Sequence, residues 1–315
     1  MSELSVVILA GGISHERDVS LRSGRRVAEA LQSVGMSVEL LDPDAELLPR
    51  LAAQRPDVVF PAVHGASGED GALLGLLEAL GIPTVGSQSA SAQLAWSKPI
   101  ARNVVAAAGI SVPAGLVLSR EAFRELSASS VLGVIDATAA FPLVVKPGKG
   151  GSAQGVSMVD APEQLPRALV EAFSYADTAL CERRIFGTEL AVTVVDDLAG
   201  LRALPAVEIE PLHGSYDFEA RYNAGETRFY APARLSEELA VRVSDAATRA
   251  HVALGLRDVS RIDLIVDGDG AIWFLEANVI PGMTETSLLP LALDAAGLDH
   301  GEFYAGLIQS ARARS

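Results

Sequence analysis

The first hundred residues alternate apolar runs with amphipathic stretches. "LSVVILA", "SVELL" and "DVVFPAV" are mainly apolar, which is typical of strands buried on both faces of a sheet. "SGRRVAEALQSVG" and "GALLGLLEALG" have the periodicity of helices, with Ser23 as a candidate N-cap and with Gly35 and Gly81 just beyond the helix ends. Such alternation predicts a parallel sheet covered by helices.

The pattern changes near residue 98. "FPLVVKP", "GVSMV" and "TALCERRI" predict strands of a small antiparallel sheet, accompanied by helices over "SKPIARNVVAAAG" and "APEQLPRALVEAF". Longer strands, "ELAVTVV" and "RALPAVEI", a helix over "SEELAVRVSDAATRAHVALG", a hairpin and two further helices follow. The predicted fold class is an α/β domain followed by two α+β domains, with bounds at residues 1–97, 98–182 and 183–315.

Composition and charge exclude several classes of protein. Apolar residues make up 49% of the chain, too many for a disordered protein, and the formal net charge of −15 argues against a nucleic-acid surface or a polybasic membrane anchor. A single cysteine, Cys181, excludes a disulfide framework. The N-terminus lacks a signal-peptide pattern, and no apolar run reaches the roughly 20 residues that span a bilayer. We therefore expect a cytoplasmic protein that binds small molecules, with neither nucleic acid nor membrane as a partner.

A glycine-rich stretch, "VVKPGKGGSAQG", runs from Val144 to Gly155 directly after an apolar run. It does not match the phosphate loop G-x-x-x-x-G-K-[ST], because no Ser or Thr follows a Gly-Lys pair at that spacing. Lys146 closes the preceding strand pattern and opens the glycines, a position that favours contact with a phosphate. The alternative is a flexible turn.

The segment "RIDLIVDGDGAIWFLEAN" has the pattern of a β-hairpin around the turn signal "DGDG". A two-residue loop at the central "GD" pairs Asp263 with Phe274 and Arg261 with Glu276. Because side chains alternate between faces, both carboxylates then share a face with Asn278. Oxygen ligands of this kind suit Mg²⁺. The alternative is a solvated face on which Arg261 pairs with a carboxylate.

Three further polar segments are candidates for binding. "GGISHERDVSL" occupies the first strand–helix connection, where Glu16 could receive an ammonium group; as a dinucleotide fingerprint it lacks the third glycine. "VHGASGEDG" places His64 and two acids beside glycines, and "GSYDFEARY" brings Tyr216, Arg221 and Tyr222 into one long loop, which is typical of a lid. The alternatives are an acidic helix N-terminus, a capped turn and an ordinary surface loop.

Together these segments, in this order, resemble the D-alanine–D-alanine ligases of the ATP-grasp superfamily over nearly the whole chain. The resemblance implies a three-domain ATP-grasp fold and an ATP-dependent ligase. Such an enzyme phosphorylates the carboxylate of one D-alanine and joins it to the amine of a second, giving D-alanyl-D-alanine, ADP and phosphate for peptidoglycan synthesis. It also implies ATP and two Mg²⁺ or Mn²⁺ ions as cofactors, and a homodimer.

The resemblance also assigns residues to roles. The implied metal ligands are Asp263, Glu276 and Asn278. The implied ATP contacts are Lys98, Lys146, Gly151, Ser152, Glu182, Ile185, Glu189, Phe274 and Glu276. The implied amino-acid contacts are Glu16, Val19, His64, Arg221, Tyr222, Arg261, Gly282 and Ser287. Within these sets, the implied catalytic groups are Glu16, Ser152 and Tyr222, which link the two loops, the oxyanion donors Arg261 and Gly282, and Ser287.

The chain departs from the family pattern near the second substrate and in the glycine stretch. The departures are Gly150, Ala153, Arg221, Glu285 and Thr286. An extra acid beside the second carboxylate is hard to reconcile with two plain D-alanines. The alternatives are therefore a related ligase with another second amino acid, used in specialised metabolism, and an ATP-binding module without ligase activity. A dinucleotide-dependent reductase is a further alternative, against which the missing glycine speaks.

Overall fold

The structure is a computed structural model that describes residues 4–138, 141–212 and 225–314. Its first sheet is parallel, with strand order β2-β1-β3, and is formed by β1 (Val6–Leu9), β2 (Val38–Leu41) and β3 (Val58–Pro61). The accompanying helices are α1 (Arg17–Ser33), α2 (Leu47–Gln54), α3 (Ala66–Glu69), α4 (Ala72–Ala79) and α5 (Ser89–Trp96). Val6 and Ile8 enter one apolar cluster and Val7 and Leu9 another, so both faces of β1 are buried, as predicted.

Helix α1 begins six residues before the predicted start. Ser23 lies inside the helix and is buried, so its prediction as the N-cap is wrong. Gly24 also lies inside the helix. A Cβ added at this position would lie only 2.4 Å from the Cβ of Ala10, which directly follows β1. The helix crosses the sheet so closely that only glycine fits, and this packing outweighs the weak helix propensity of glycine. At the other end, Gly35 adopts φ +81° just beyond the helix, as predicted.

The central sheet is antiparallel, with strand order β4-β7-β5-β6. Its strands are β4 (Gly115–Ser119), β5 (Leu143–Pro147), β6 (Ser157–Val159) and β7 (Thr178–Arg183). Helices α7 (Arg120–Glu125), α8 (Ala128–Thr138) and α9 (Leu165–Tyr175) cover this sheet, with a 3₁₀ turn at Pro162–Gln164. Helix α6 (Lys98–Ala107) precedes them, but its buried residues pack into the core shared by the first and third sheets. The glycine-rich stretch connects β5 to β6, in agreement with the two strands predicted on either side of it.

The third sheet is antiparallel, with order β11-β10-β8-β12-β13 and with β9 beside β8. Its strands are β8 (Gly187–Asp197), β9 (Gly200–Ala203), β10 (Val207–Pro211), β11 (Thr227–Tyr230), β12 (Asp258–Asp267) and β13 (Ile272–Asn278). Its helices are α10 (Glu237–Ala253), α11 (Leu288–Ala295) and α12 (His300–Ala313). The single strand predicted over "RALPAVEI" is wrong: it divides around Pro205, which cannot donate a ladder hydrogen bond.

The β12–β13 hairpin differs from its predicted register. Val266 pairs with Ile272 and Leu264 with Phe274, so the turn is one residue longer than predicted. A bulge at Leu275 then shifts the ladder, and Asp263 lies directly opposite Glu276. The predicted pairing of Asp263 with Phe274 is therefore wrong. The predicted common face still forms, because the bulge returns Glu276 to the side of Asp263.

Helix α12 packs against α1 and joins the first and third sheets in one apolar core. A Cβ at Gly301 would lie 2.4 Å from the carbonyl oxygen of Ala30, so the two helices are in close contact. In the described part of the chain no helix is long and apolar enough to cross a membrane. Residues that belong to or follow strands of all three sheets line one cleft.

Candidate active site

The cleft consists of two adjoining cavities. The larger, of about 330 Å³, lies between the central and third sheets, and the smaller, of about 140 Å³, opens toward the first sheet. Both are lined by Lys98, Gly150, Gly151 and Glu276. The arrangement suits an elongated ligand in one cavity whose end meets a small polar ligand in the other.

The larger cavity is lined by both apolar and charged side chains, among them a buried ion pair. Lys146 on β5 contacts Glu182 on β7, and these two residues are 7% and 4% exposed. Ile185 and Glu189, both expected at a nucleotide, also line this cavity. Buried charges require paired partners, so the ion pair holds Lys146 at the cavity wall.

Phe274 does not lie where the sequence placed it. It is 1% exposed in the core, opposite Leu264, and its expected contact with a nucleotide does not fit this position. The cavity wall is formed instead by the next residue, Leu275. The cause is the bulge, which turns Leu275 out of the regular alternation.

Lys98 connects the glycine-rich stretch to the hairpin. Its Nζ donates to Glu276 Oε2 at 2.6 Å and to the carbonyl oxygen of Gly150 at 2.9 Å. Its backbone N–H donates to the carbonyl oxygen of Gly148 at 2.9 Å, at the start of α6. A single cation thus lies where the two cavities meet.

Arg261 and Asp263 form a bidentate ion pair on β12. The Nε–Oδ1 and Nη2–Oδ2 distances are 2.7 and 2.9 Å, and the residues are 8% and 4% exposed. The alternative interpretation of the hairpin expected Arg261 to pair with a carboxylate on a solvated face. The ion pair is present, but Arg261 and Asp263 are buried. Such a fork holds both planar groups in fixed orientation.

The carboxylates of the hairpin have the chemistry of a hard-cation site. Asp263 and Glu276 face each other across the ladder, and Asn278 lies opposite Arg261. The Oδ1 of Asn278 accepts the N–H of Ile280 at 3.0 Å, which fixes its amide. Among the described residues no three His, Cys, Asp or Glu side chains form a metal cluster, so the amide oxygen would have to be the third ligand. Two carboxylates and an amide oxygen fit Mg²⁺ or Mn²⁺.

The start of α1 meets the glycine-rich stretch. Ser152 Oγ donates to Glu16 Oε1, and a Cβ at Gly151 would lie 3.2 Å from the same oxygen. Val19 lines the smaller cavity one turn further along α1. Tyr222, expected to complete this contact, and Arg221, expected to bind substrate, lie outside the described residues.

His64 links the first sheet to the segment that carries Gly282. Its Nε2 lies 2.8 Å from Ser23 Oγ, which accepts the N–H of Met283 at 3.1 Å. Burial lowers the pKa of His64 to about 4, although a hydrogen bond to the Ile280 backbone opposes the shift. The ring is therefore neutral at pH 7, and its Nε2 is hydrogen bonded to the Ser23 hydroxyl. Sequence reasoning missed this role of Ser23.

The segment before α11 forms the far wall of the smaller cavity. A Cβ at Gly282 would lie 2.7 Å from Ser287 Oγ, so a side chain there would displace the Ser287 hydroxyl. The Ser287 hydroxyl accepts the N–H of Thr284 at 3.0 Å. Glu285 turns outward to Arg26, at 3.1 Å, and does not line the cavity, whereas Thr286 does. The extra acid is thus directed away from the site.

Two family models match the chain. One, described as "D-ala D-ala ligase C-terminus", matches residues 104–309, and the other, described as "D-ala D-ala ligase N-terminus", matches residues 41–87. A D-alanine–D-alanine ligase of Anaeromyxobacter sp. (strain K) is 41% identical over 293 residues, covering 93% of this chain and 92% of its own. One from Geobacter sulfurreducens is 40% identical over 305 residues, 96% of this chain and 93% of its own.

Solved structures with the same architecture include two ligases. The VanG D-Ala:D-Ser ligase of Enterococcus faecalis superposes with a TM-score of 0.85 at 28% identity, over 98% of this chain and 100% of its own. The D-alanine–D-alanine ligase of Bacillus anthracis complexed with ATP superposes with a TM-score of 0.79 at 28% identity, over 99% of each chain. The three-sheet architecture is therefore that of the ATP-grasp ligases.

Proposed function

Because the chain belongs to the D-alanine–D-alanine ligase family, we propose that its two cavities hold the nucleotide and the two amino acids of that reaction. The protein is an ATP-dependent, ADP-forming ligase that joins two D-alanines in peptidoglycan synthesis. The relatives do not favour the alternative of another second substrate. The observation that carries the assignment of residues is Lys98, which binds both Glu276 and the glycine-rich stretch where the cavities meet.

ATP occupies the larger cavity in this proposal. Its phosphates lie under the glycine-rich stretch, beside Lys98, Lys146 and Gly151, which line this cavity, and near Ser152, which lines the adjoining one. The base lies against the connection from Glu182 to Ile185, and the ribose near Glu189. Exclusion of water from this cavity once the substrates are bound would protect an acylphosphate from hydrolysis.

Asp263, Glu276 and Asn278 are the proposed ligands of Mg²⁺ or Mn²⁺, with two ions as the family resemblance implies. When bound, such ions neutralise charge on the transferring phosphoryl group. Lys98 forms an ion pair with Glu276, and Arg261 forms one with Asp263. In this proposal both cations therefore lie close to the phosphates that the metal ions bind.

The smaller cavity holds the amino acids in this proposal. Glu16 accepts the ammonium of the first D-alanine, near Val19 and His64. The Arg261 guanidinium and the Gly282 N–H stabilise the oxyanion that forms when the second amine attacks. Ser287 binds the carboxylate of the second amino acid, and Tyr222 and Arg221 close the site from the loop.

The domain bounds, assembly and location are proposals of the same kind. We place the domains at residues 1–97, 98–182 and 183–315, each with its own sheet. A homodimer follows from the family resemblance, and the cytoplasm is the compartment that supplies ATP. Limited proteolysis and sedimentation velocity test the first two.

An amino-acid panel tests the function directly. Purified protein with ATP and Mg²⁺ is expected to release phosphate and form a dipeptide with D-alanine, but to release little with L-alanine. Phosphate is measured colorimetrically and the dipeptide by mass spectrometry. ATP binding by calorimetry without amino-acid-dependent phosphate release would instead establish the inactive module.

Replacing Glu285 by Ser is expected to change KM for the second D-alanine less than about fivefold. The Glu285 side chain is 65% exposed and pairs with Arg26 at the surface, where solvent screens such pairs and they contribute little. Thr286→Val, which alters the cavity lining, is the matched comparison and is expected to change KM more. A larger effect at Glu285 than at Thr286 would contradict the outward orientation of the acid.

A further inference from the structure

The smaller cavity contains a buried acid that the reaction described above does not use. Glu69, the last residue of the short helix α3, lines this cavity and is 7% exposed. Its Oε1 accepts the N–H of Gly65 at 2.8 Å. Burying a carboxyl group this deeply costs free energy. Acidic residues are therefore rarely buried to this extent unless they are paired or have a function.

Gly65 brings Glu69 close to the carboxylate that receives the substrate ammonium. A Cβ at Gly65 would lie 2.4 Å from Glu16 Oε2, while the N–H of the same residue binds Glu69. Gly65 also has φ +74°, a conformation that L side chains rarely adopt. The two carboxyl groups therefore lie on either side of one glycine, with no side chain between them.

The charged groups around Glu69 come from three other elements. Glu16 faces it from the start of α1, Lys98 from α6 and Arg261 from β12, while the adjacent His64 is buried and neutral. Burial is the main cause that raises the pKa of Glu69, to about 8, and the charge of Glu16 adds to it. The Gly65 N–H, Arg261 and Lys98 act in the opposite direction. At neutral pH Glu69 is therefore mostly protonated, and the two acids share one negative charge.

We propose that Glu69 is a positioning residue that holds a proton while the ammonium site is empty and releases it to solvent when the ammonium of the first amino acid binds Glu16. No covalent bond other than the Glu69 O–H breaks, and the positive charge of the ligand takes the place of that proton. This inference rests on the proposed role of Glu16. It gives Glu69 a role in a binding step that is linked to proton release. From the sequence alone, Glu69 was only one of two acids in the glycine-containing segment after β3.

The linkage gives a definite sign for the effect of pH. A cation within about 4–6 Å lowers the pKa of an acid by about 1–3 units, so the bound state releases a proton that the empty state holds. Affinity for the first amino acid should therefore rise with pH up to about 8, the pKa of Glu69 in the empty site, and then level off. In a variant whose residue 69 cannot ionise, the part of the pH-dependent rise in affinity that is due to Glu69 is lost.

Calorimetry in paired buffers measures the released proton. D-alanine is titrated at pH 7.5 into the full-length protein loaded with a non-hydrolysable ATP analogue, in two buffers of different ionisation enthalpy. From a pKa of about 8 in the empty site, lowered by about 1–3 units on binding, wild type is expected to release about 0.5–0.8 proton more than Glu69→Gln. Glu29→Gln, which removes an exposed acid of α1, is the matched control and should behave as wild type.

Equal proton release by wild type and Glu69→Gln would overturn the proposal. If Glu69→Gln does not fold, the pH dependence of wild type decides alone: release should peak between about pH 6.5 and 7.5, midway between the two pKa values, and vanish well above pH 8, and no release at any pH would also overturn the proposal. The function is tested separately by phosphate release from wild type with ATP and D-alanine. An active wild type without linked proton release would leave the ligase assignment intact and remove only this inference.

Discussion

Replacing Glu276 by Gln is expected to lower ATP- and D-alanine-dependent phosphate release by at least about 10³-fold, the scale on which one stabilising charge acts in phosphoryl transfer. The amide keeps the shape of the side chain but removes the charge opposite Asp263. It also leaves Lys98, which now donates to Glu276 Oε2 at 2.6 Å, without its anionic partner. Steady-state phosphate release measures the loss, and Mn²⁺ titration followed by electron paramagnetic resonance measures metal affinity independently of turnover.

The fold should survive this substitution because Glu276 is partly exposed, at 25% of its side chain. Circular dichroism and thermal unfolding check that point. Glu238→Gln, an exposed acid on α10, is the matched control and should keep full activity. Near-normal turnover by Glu276→Gln, or unchanged Mn²⁺ affinity, would contradict the metal assignment.

Replacing Arg261 by Lys is expected to reduce kcat by about 10²–10³-fold, the usual effect of losing one oxyanion donor. Lysine keeps the charge but cannot form the two parallel hydrogen bonds that Arg261 makes to Asp263. Because one hydrogen bond to a buried carboxylate is lost, the free energy of unfolding should fall by about 1–3 kcal/mol. Initial rates and chemical denaturation measure the two effects separately.

The division between kcat and KM distinguishes a role in the reaction from a role in stability. An oxyanion donor acts in the transition state, so kcat should fall while KM for ATP changes little. Arg242→Lys, on the exposed face of α10, is the matched control because that side chain, within the described part of the chain, donates to the carbonyl oxygen of Gly270 alone. A stable Arg261→Lys enzyme with nearly normal kcat would count against the oxyanion role.

The type and order of the strands and helices could be predicted from the sequence because their apolar periods are strong. The first sheet has continuous apolar strands, and the central sheet has its glycine-rich connection where it was predicted. Element ends were less predictable: α1 runs through Ser23 and Gly24 because tertiary packing against Ala10 overrides local capping and propensity. Only the folded structure shows which helix crosses a sheet that closely.

The hairpin shows how a correct conclusion can come from a wrong register. The turn signal was recognised, but the loop is one residue longer than predicted, which alone would have moved Glu276 away from Asp263. The bulge at Leu275 compensates. No local signal in "IWFLEAN" marks that bulge, and the same omission explains the misplaced Phe274. Glu69 was likewise beyond sequence reasoning, because its burial depends on residues from three distant segments.

The bulge at Leu275 also lets β13 direct two consecutive side chains into the cleft. In a regular strand only every second side chain reaches a given face, as Asp263 and Ile265 do on β12. On β13 two consecutive residues, Leu275 and Glu276, both line the larger cavity. Two adjacent residues of one strand thus supply an apolar contact for an organic ring and a carboxylate for a cation. An insertion or deletion of one residue at this point would separate those two functions without breaking the sheet.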